Sequence, residues 1–479
     1  STIGLAMAWV AVRLLVNAAP AQIPRLSEIS IDGNTVAFTL GIALLVALAC
    51  SVIPALRLGR QALAQSLREG GRGGIGQTQH RVRGALVVAQ IAVALVVLAG
   101  SGLLIRTFQQ LNAVRPGWNP ENVATFWVSV PQAKYKSDTS VQQFYANLET
   151  RLAQIPGVTD VGFASRLPLH PDGHNQNPVY PEGDATYANK VPPLQMWSTV
   201  SSGYFRVMGI PFIAGRNFDR IDTQHDGEAI VSRATTALLW GDSTGRNSLG
   251  KQFRLLPTGM VRTIIGVVAD ARDTSLAAPG TRAVYVPEVP TADNVFGQLQ
   301  RRLAITLKTA GDPAVVTSAA RRVIHDIDPT LPLFDVRPMP AVFRASMAKL
   351  TFTIMMLGAA AAVTLLLGAI GLYGVLAYIV TLRTRELGVR IALGAQPSEV
   401  TAMMTMQGMV LAVIGIALGG VVFLGVSRFL RTLLFGVAPT DPTAIAAASL
   451  LLVAIAWLAS WIPARRASRV DPMEALRAD

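Results

Sequence analysis

Residues 383–395 read RTRELGVRIALGA. This short charged stretch lies between two long apolar runs. The run before it contains MMLGAAAAVTLLLGAIGLYGVLAYIV (355–380), and the next begins near residue 406. A helix needs about 20 mostly apolar residues to cross a bilayer, and both runs are long enough. The charged stretch therefore reads as the connection between two membrane spans, which makes the chain a membrane protein before anything else is known.

Working outward, six segments qualify as spans: 3–19, 36–55, 84–105, 352–380, 406–430 and 443–462. The first contains Arg13, so a buried amphipathic helix is the alternative there. The composition agrees. Of the 479 residues, 51% are hydrophobic and only 15% charged, with mean hydropathy +0.41; a soluble domain usually carries about 25% charged residues. The net charge of +13 is concentrated beside apolar runs, which favours a membrane surface over nucleic acid as the partner of the basic residues. The single cysteine, Cys50, lies in an apolar run. It can form no intramolecular disulfide and belongs to no metal-binding cysteine cluster. The chain opens at Ser1 and enters an apolar run at once, without a basic leader or cleavage site, so it reads as a fragment lacking its front rather than as a signal peptide.

Short basic connections face the cytoplasm. The stretch 56–83 holds Arg57, Arg60, Arg68, Arg72, Arg81 and Arg83 against Glu69; the connection 381–400 holds Arg383, Arg385 and Arg390; the tail holds Arg465, Arg466, Arg469 and Arg477. These three stretches are assigned to the cytoplasm, and the links 20–35 and 435–442 to the outside. The region 107–345 then falls outside as one large domain. It mixes β-rich runs such as NVATFWVSV (122–130), RTIIGVVAD (262–270) and RLAITLK (302–308) with helical patterns such as VQQFYANLETRLAQI (141–155) and PAVVTSAARRVIHDI (313–327). The fold class expected is an α-helical membrane protein of about six transmembrane helices with a large α+β extracytoplasmic domain of two lobes.

The chain also repeats itself. IPALRLGRQALAQSLRE (53–69) aligns without a gap to IPARRASRVDPMEALRA (462–478), and each copy follows a span and a proline-containing link (Pro20, Pro439). Duplication is the simplest account; two helices that merely end in similar basic caps is the other. SLREGGRGGIGQTQHR (66–81) is Gly-rich and basic, as a flexible linker between two units would be.

Three motifs tempt and fail. GRGGIG (71–76) matches a dinucleotide fingerprint, but lies in that linker rather than between a buried strand and a helix. GRNSLGKQ (245–252) spaces Gly245, Gly250 and Lys251 like a phosphate-binding loop, but Gln252 stands where a Mg²⁺-holding Ser or Thr is needed. A turn entering a strand KQFRL is the better reading. HPDGH (170–174) offers His170, Asp172 and His174, but in a long Pro-rich loop rather than on a fixed scaffold. No catalytic group, cofactor or metal site is assembled, so the chain is not expected to be an enzyme.

On a helix, Arg383, Glu386 and Arg390 fall at i, i+3 and i+7, so Glu386 can pair with both arginines. Leu387 and Ile391 make a narrow apolar stripe, and Gly394 is a natural C-terminal stop before Pro397 and Ser398. A short amphipathic helix of this kind could pass force from a cytosolic partner into the spans, or it could only anchor the connection on lipid phosphates. Spacing leaves both readings standing. The small residues Gly388, Ala392, Gly394 and Ala395, which let another backbone approach closely, favour a protein partner.

RTRELGVRIALGA resembles the cytoplasmic coupling segment of MacB/FtsX-type ABC transporter permeases, and the ending PARRASRVDPMEALRAD is similar to the carboxyl end of that family. YFRVMGIPFIAGRNF (204–218), AIVSRATTALLWG with SLGKQFR (229–254), IIGVVADARD (264–273) and RVRGALVVAQIAVALVVLAGSGLLIRTFQQL (81–111) extend the resemblance over nearly all of 81–479. The arrangement is similar to the duplicated, stand-alone permeases of the family. The resemblance implies the following domains: 1–70, the C-terminal part of a first FtsX-like permease unit; 71–83, a cytoplasmic linker; 84–106, the first transmembrane helix of the second unit; 107–345, a MacB-like periplasmic core domain; and 350–479, an FtsX-like permease domain with three spans and a cytoplasmic tail.

It implies a permease subunit in the bacterial inner membrane. That subunit would couple ATP hydrolysis by a separate cytoplasmic ABC ATPase to motion of the periplasmic domain, for export or mechanical work on the envelope. A membrane-anchored envelope scaffold or receptor acting without ATP is the alternative. Carried over residue by residue, contact with the ATPase falls on Arg385, Glu386, Gly388, Arg390, Gly394 and Ala395. Membrane lipids and a periplasmic or envelope protein are the other partners implied; nucleic acid is not. The first unit's own coupling helix has no counterpart in 1–70.

Overall fold

The structure is a computed structural model. It describes residues 6, 9–10, 12–13, 16, 32–48, 75–171, 175–187, 190–219, 227–256, 258–287, 300–392 and 396–468, the backbone alone at 75–82, 382–392 and 467. The chain divides into a helical unit, reaching Asn112 and resuming at Ala348, and a second unit, Ala113–Met347.

The helical unit contains α1 (Gly33–Leu48), α2 (Ile75–Ala113), α8 (Ala348–Ala392), α9 (Pro397–Leu430) and α10 (Pro442–Ala467). Among the described residues, four helices are long and apolar enough to cross a membrane: Arg83–Ala113, Ala348–Thr381, Pro397–Leu430 and Pro442–Arg466. They correspond to four of the six predicted spans. The predicted span 36–55 is represented by α1, with 49–55 outside the described residues, and 3–19 falls mostly outside them.

Local chemistry sets the helix ends. Gln396 and Glu399 form a reciprocal capping box at the start of α9, with Pro397 in the first turn. Asp441 caps α10 by accepting from the Thr443 N–H at 2.9 Å, and it also takes a hydrogen bond from Arg106 of α2. Residues of all four spans meet in one apolar seam that includes Val87, Ile91, Leu95, Leu372, Leu376, Met404, Phe423 and Leu452. Glycines bring the backbones together. A Cβ on Gly415 or Gly419 would lie 2.8 Å from Ile91 Cβ or the Ala92 carbonyl oxygen of α2, and one on Gly408 would lie 2.0 Å from Ser460 Oγ of α10. With apolar lipid outside, helix association rests on this close packing and not on expulsion of water. Val421, Phe429 and Leu450 remain exposed, a burden in water and the expected state of lipid-facing residues.

The second unit holds two lobes. The first is built from β1 (Val123–Ser129), α3 (Asp138–Ala153), β2 (Val158–Ala164), β10 (Arg302–Thr309), α6 (Pro313–Ile327) and β11 (Phe334–Pro338). Its strands lie in the order β11-β1-β10-β2, all antiparallel, with Val123 opposite Lys308 and Ala304 opposite Ala164. Two β-α-β passes in this order make a ferredoxin-like sandwich. Phe126, Val128, Phe163, Ile305 and Leu307 turn one sheet face onto Phe144, Leu148, Ala320 and Ile324 of the helices.

The second lobe is inserted between β2 and β10. It contains β3 (Gln176–Pro181), β4 (Leu194–Val200), α4 (Tyr204–Met208), β5 (Phe212–Gly215), β6 (Glu228–Ser232), α5 (Arg233–Trp240), β7 (Gln252–Leu255), β8 (Val261–Val268) and β9 (Ala283–Pro287). Strand β4 pairs with β3, β3 with β7, β7 with β8, β8 with β6, β6 with β9, and β9 with β4 again. The six strands thus close into a small barrel, filled by Val179, Trp197, Val231, Phe253, Ile264 and Val284, so it is a packed core and not a pore.

Strand β4 also pairs with β2 at Val200 and Ala164, joining barrel to sandwich. At that junction α4 lies flush on β2. A Cβ on Gly203 would meet the Val161 carbonyl oxygen at 1.8 Å, and one on Gly162 the Tyr204 Cα at 2.8 Å. A short helix following the fourth strand, α7 (Met339–Ser346), closes the unit.

One expectation needs correction. The charged stretch is not a separate short helix: α8 runs unbroken from Ala348 to Ala392. Hydropathy falls sharply near Thr381, but nothing there ends a helix. Thr, Arg, Glu, Leu and Val continue the backbone hydrogen bonding, and Gly388 costs only about 1 kcal/mol relative to alanine.

Candidate functional site: the charged extension of α8

The 45 residues of α8 measure about 68 Å at 1.5 Å per residue, far more than a bilayer's hydrocarbon thickness. The apolar part ends at Thr381, and the helix continues to Ala392 as an extension of about 16 Å. Arg385, Glu386, Gly388 and Arg390 lie on this extension with helical backbone, while Gly394 and Ala395 lie outside the described residues. All four fall within about one and a half turns of one helix, and α9 starts again at Pro397.

Near the base of the extension α8 is braced by an arginine from each of two other helices, which the sequence reading missed. The Arg83 guanidinium of α2 lies 4.1 Å from the Tyr378 ring centroid, one turn before Thr381. Arg466 of α10 donates to the Tyr373 hydroxyl at 3.0 Å. Arg465 lies 4.9 Å from the centroid of Trp461, and Trp461 stacks on Trp457 with centroids 5.9 Å apart. Basic and aromatic residues together mark the level of lipid headgroups. The signal was present in the sequence as Tyr373, Tyr378, Trp457 and Trp461 near span ends; which arginine meets which ring depends on the packing of three helices.

The rejected motifs are rejected for sharper reasons. In GRNSLGKQ the backbone amides are already engaged: Asp242 takes those of Gly245 and Asn247, and Gly250 and Lys251 donate to the Ile264 and Ser248 carbonyls. Asp242 Oδ1 accepts from the N–H groups of Thr244 (3.1 Å) and Gly245 (3.0 Å), and its Oδ2 from the Asn247 N–H (2.9 Å) and the Ser248 hydroxyl (2.8 Å). The Thr244 hydroxyl contributes most, and together these donors outweigh burial and hold the Asp242 carboxyl down at about 2. A resident carboxylate thus fills the place of an anion, and the stretch leads into β7 as a structural turn.

His170 is buried, with Nε2 2.5 Å from Asp335 Oδ2 and its ring beside Trp127; Asp172 and His174 lie outside the described residues. Among the described residues no group of three or more His, Cys, Asp or Glu is placed to hold a metal ion. GRGGIG falls mostly outside them, its last two residues opening α2.

Comparison with known proteins gives the family. Residues 84–324, half of the chain, match the MacB-like periplasmic core domain, and residues 358–472 match the FtsX-like permease C-terminal domain. The macrolide export ATP-binding/permease protein MacB of Acinetobacter baylyi is 28% identical over 282 residues, 58% of this chain and 41% of that protein. The probable syringafactin export ATP-binding/permease protein SyfD of Pseudomonas syringae pv. tomato is 30% identical over 292 residues, 58% of this chain and 42% of that protein. The chain spans about two fifths of the length of these relatives.

Among solved structures, the periplasmic region of MacB from Actinobacillus actinomycetemcomitans aligns with TM-score 0.32 and 13% identity, over 50% of this chain and 96% of that one. The extracellular domain of the noncanonic ABC-type transporter YknZ from Gram-positive bacteria aligns with TM-score 0.29 and 17% identity, over 45% of this chain and 100% of that one. With its membrane-spanning helices and both family domains in order, the chain belongs to the MacB/FtsX family of ABC transporter permeases.

Proposed function

We propose that this chain couples ATP hydrolysis by a separate cytoplasmic ATPase to motion of the domain formed by residues 113–347, for export or for mechanical work on the envelope of a bacterial cell. The observation that carries the reading is the continuity of α8. It begins one residue after that domain ends at Met347, and reaches the charged extension without a break. A continuous helix resists bending far more than a jointed one, so displacement at one end is felt at the other.

The coupling contact is assigned to Arg385, Glu386, Gly388, Arg390, Gly394 and Ala395. Charge supplies orientation, and the small residues permit close approach of a partner's backbone. The inner membrane is the expected location, with the 113–347 domain on the periplasmic side. The relatives are named for export of macrolide and syringafactin, and the outward direction of transport is taken from them. The repeat of 53–69 at 462–478 supports reading residues 1–70 as the closing part of a first permease unit.

The test is co-expression with the ATP-binding subunit encoded nearest to this gene. The wild-type chain should capture that subunit from solubilised membranes and change its ATPase rate. Glu386→Lys places a like charge among arginines, and should weaken capture or coupling about ten-fold or more while the chain is still made and inserted. No ATPase captured by the wild type would point to a scaffold that works without ATP; full coupling in Glu386→Lys would take the coupling contact away from this residue.

A further inference from the structure

The end of the bundle where α9 begins and α10 finishes holds a groove of about 870 Å³ between those two helices. It extends along α9 from Pro397 to Met409, about 18 Å at 1.5 Å per residue. Its wall is apolar and deformable: Met406 and Met409 come from α9, and Trp457 from α10. Met406 is 64% exposed and Trp457 48%, although both belong to spans. The groove therefore opens sideways toward lipid as well as toward the bundle's end. At its mouth stand Ser398, Trp461 and Arg465, and among the described residues no acidic side chain lines it. The Arg465 guanidinium lies on Trp461 and pairs with no carboxylate among the described residues.

An apolar trough ending in a ring-supported guanidinium has the polarity of an amphiphile in reverse. We propose that it holds one anionic phospholipid of the leaflet on that side, with an acyl chain along Met406, Met409 and Trp457 and the phosphate at Arg465. Charge decides between occupants. A zwitterionic lipid brings an ammonium group that no acid among the described lining residues meets, whereas an anionic headgroup meets a guanidinium and hydroxyls there. A planar guanidinium resting on an indole still presents its N–H edge to phosphate oxygens.

The test uses the full chain, purified in mild detergent, depleted of lipid and offered equal amounts of phosphatidylglycerol and phosphatidylcholine. Bound lipid is then counted by native mass spectrometry. The wild type should retain phosphatidylglycerol about five-fold better, the preference that one basic residue near a membrane surface supplies. Arg465→Gln should bring the two lipids to parity. Ala402→Trp, at an exposed position on the groove wall, should reduce retention of both. Equal retention by the wild type would overturn the proposal. So would a preference that survives Arg465→Gln, or a dimer that Ala402→Trp dissociates, which would make a second copy the occupant.

Discussion

Asp242 shows how one residue can settle a motif. Its carboxylate gathers two side-chain hydroxyls and three backbone amides from the turn that follows it, and is held at about 2. An unfolded aspartate titrates near 3.9. The folded value is the lower one, so the stability from this carboxylate is fully present above about pH 4 and is lost as pH falls through about 2. Asp242→Asn replaces one acceptor oxygen with a donor facing the donors of Asn247 and Ser248. The variant should melt at a lower temperature than the wild type at pH 7, and the gap should narrow on acidification toward pH 2. Thermal unfolding in detergent at several pH values checks this; a gap independent of pH would mean that the carboxylate's charge is immaterial. Spacing in the sequence allowed rejection of the phosphate-loop reading on Gln252, but the stronger reason is the carboxylate already in the loop, which only the folded turn displays.

At the scale of elements, the glycines of α9 decide how the spans pack. Gly415 and Gly419 are four residues apart and both face α2, whereas Gly420 meets no atom within 4 Å of where its Cβ would stand. Gly419→Leu should therefore cost about 1–3 kcal/mol through overpacking, read as earlier unfolding or a lost compact peak in detergent. Gly420→Leu, one residue away, should leave stability unchanged or raise it by up to about 1 kcal/mol, the helix-propensity gain over glycine. Equal effects would show that helix propensity and not packing governs the region. The spans themselves were legible, because about 20 apolar residues in a row announce a crossing by composition. The facing of each glycine was not, because it depends on rotation about the helix axis, set by the neighbouring helices. The same limit applied to the site. Charge and small residues marked 383–395 from the sequence, but its union with the span did not show, since hydropathy changes there while helix propensity does not.

For the molecule as a whole, the joints between its parts matter most. In the 113–347 unit, Arg166 follows β2 of the sandwich and Asp273 follows β8 of the barrel, and the two side chains form an ion pair of 3.3 Å with only 6% and 4% exposure. Burial pushes the Asp273 carboxyl above its ordinary range, and the Arg166 guanidinium pulls it back part of the way. Such a pair is weak evidence for stability but costly to break, because the remaining charge is stranded. Asp273→Asn should destabilise this unit by about 3–5 kcal/mol, and the double change Arg166→Met with Asp273→Leu should recover most of that loss. Chemical denaturation of the three proteins decides it; a double variant no better than the single one would show that the pair itself fastens the lobes. By itself the sequence determined the membrane class, the position and mixed α+β character of the large domain, and the charged stretch on which the coupling proposal rests. These follow from sums over neighbouring residues: apolar length, basic bias and alternation. The tertiary structure alone decided that six strands close into a barrel within a ferredoxin-like sandwich, that arginines from α2 and α10 brace the foot of the extension, and that α8 is one rod. Those outcomes depend on contacts between residues far apart in the chain, where local pattern carries no information about which partner is met.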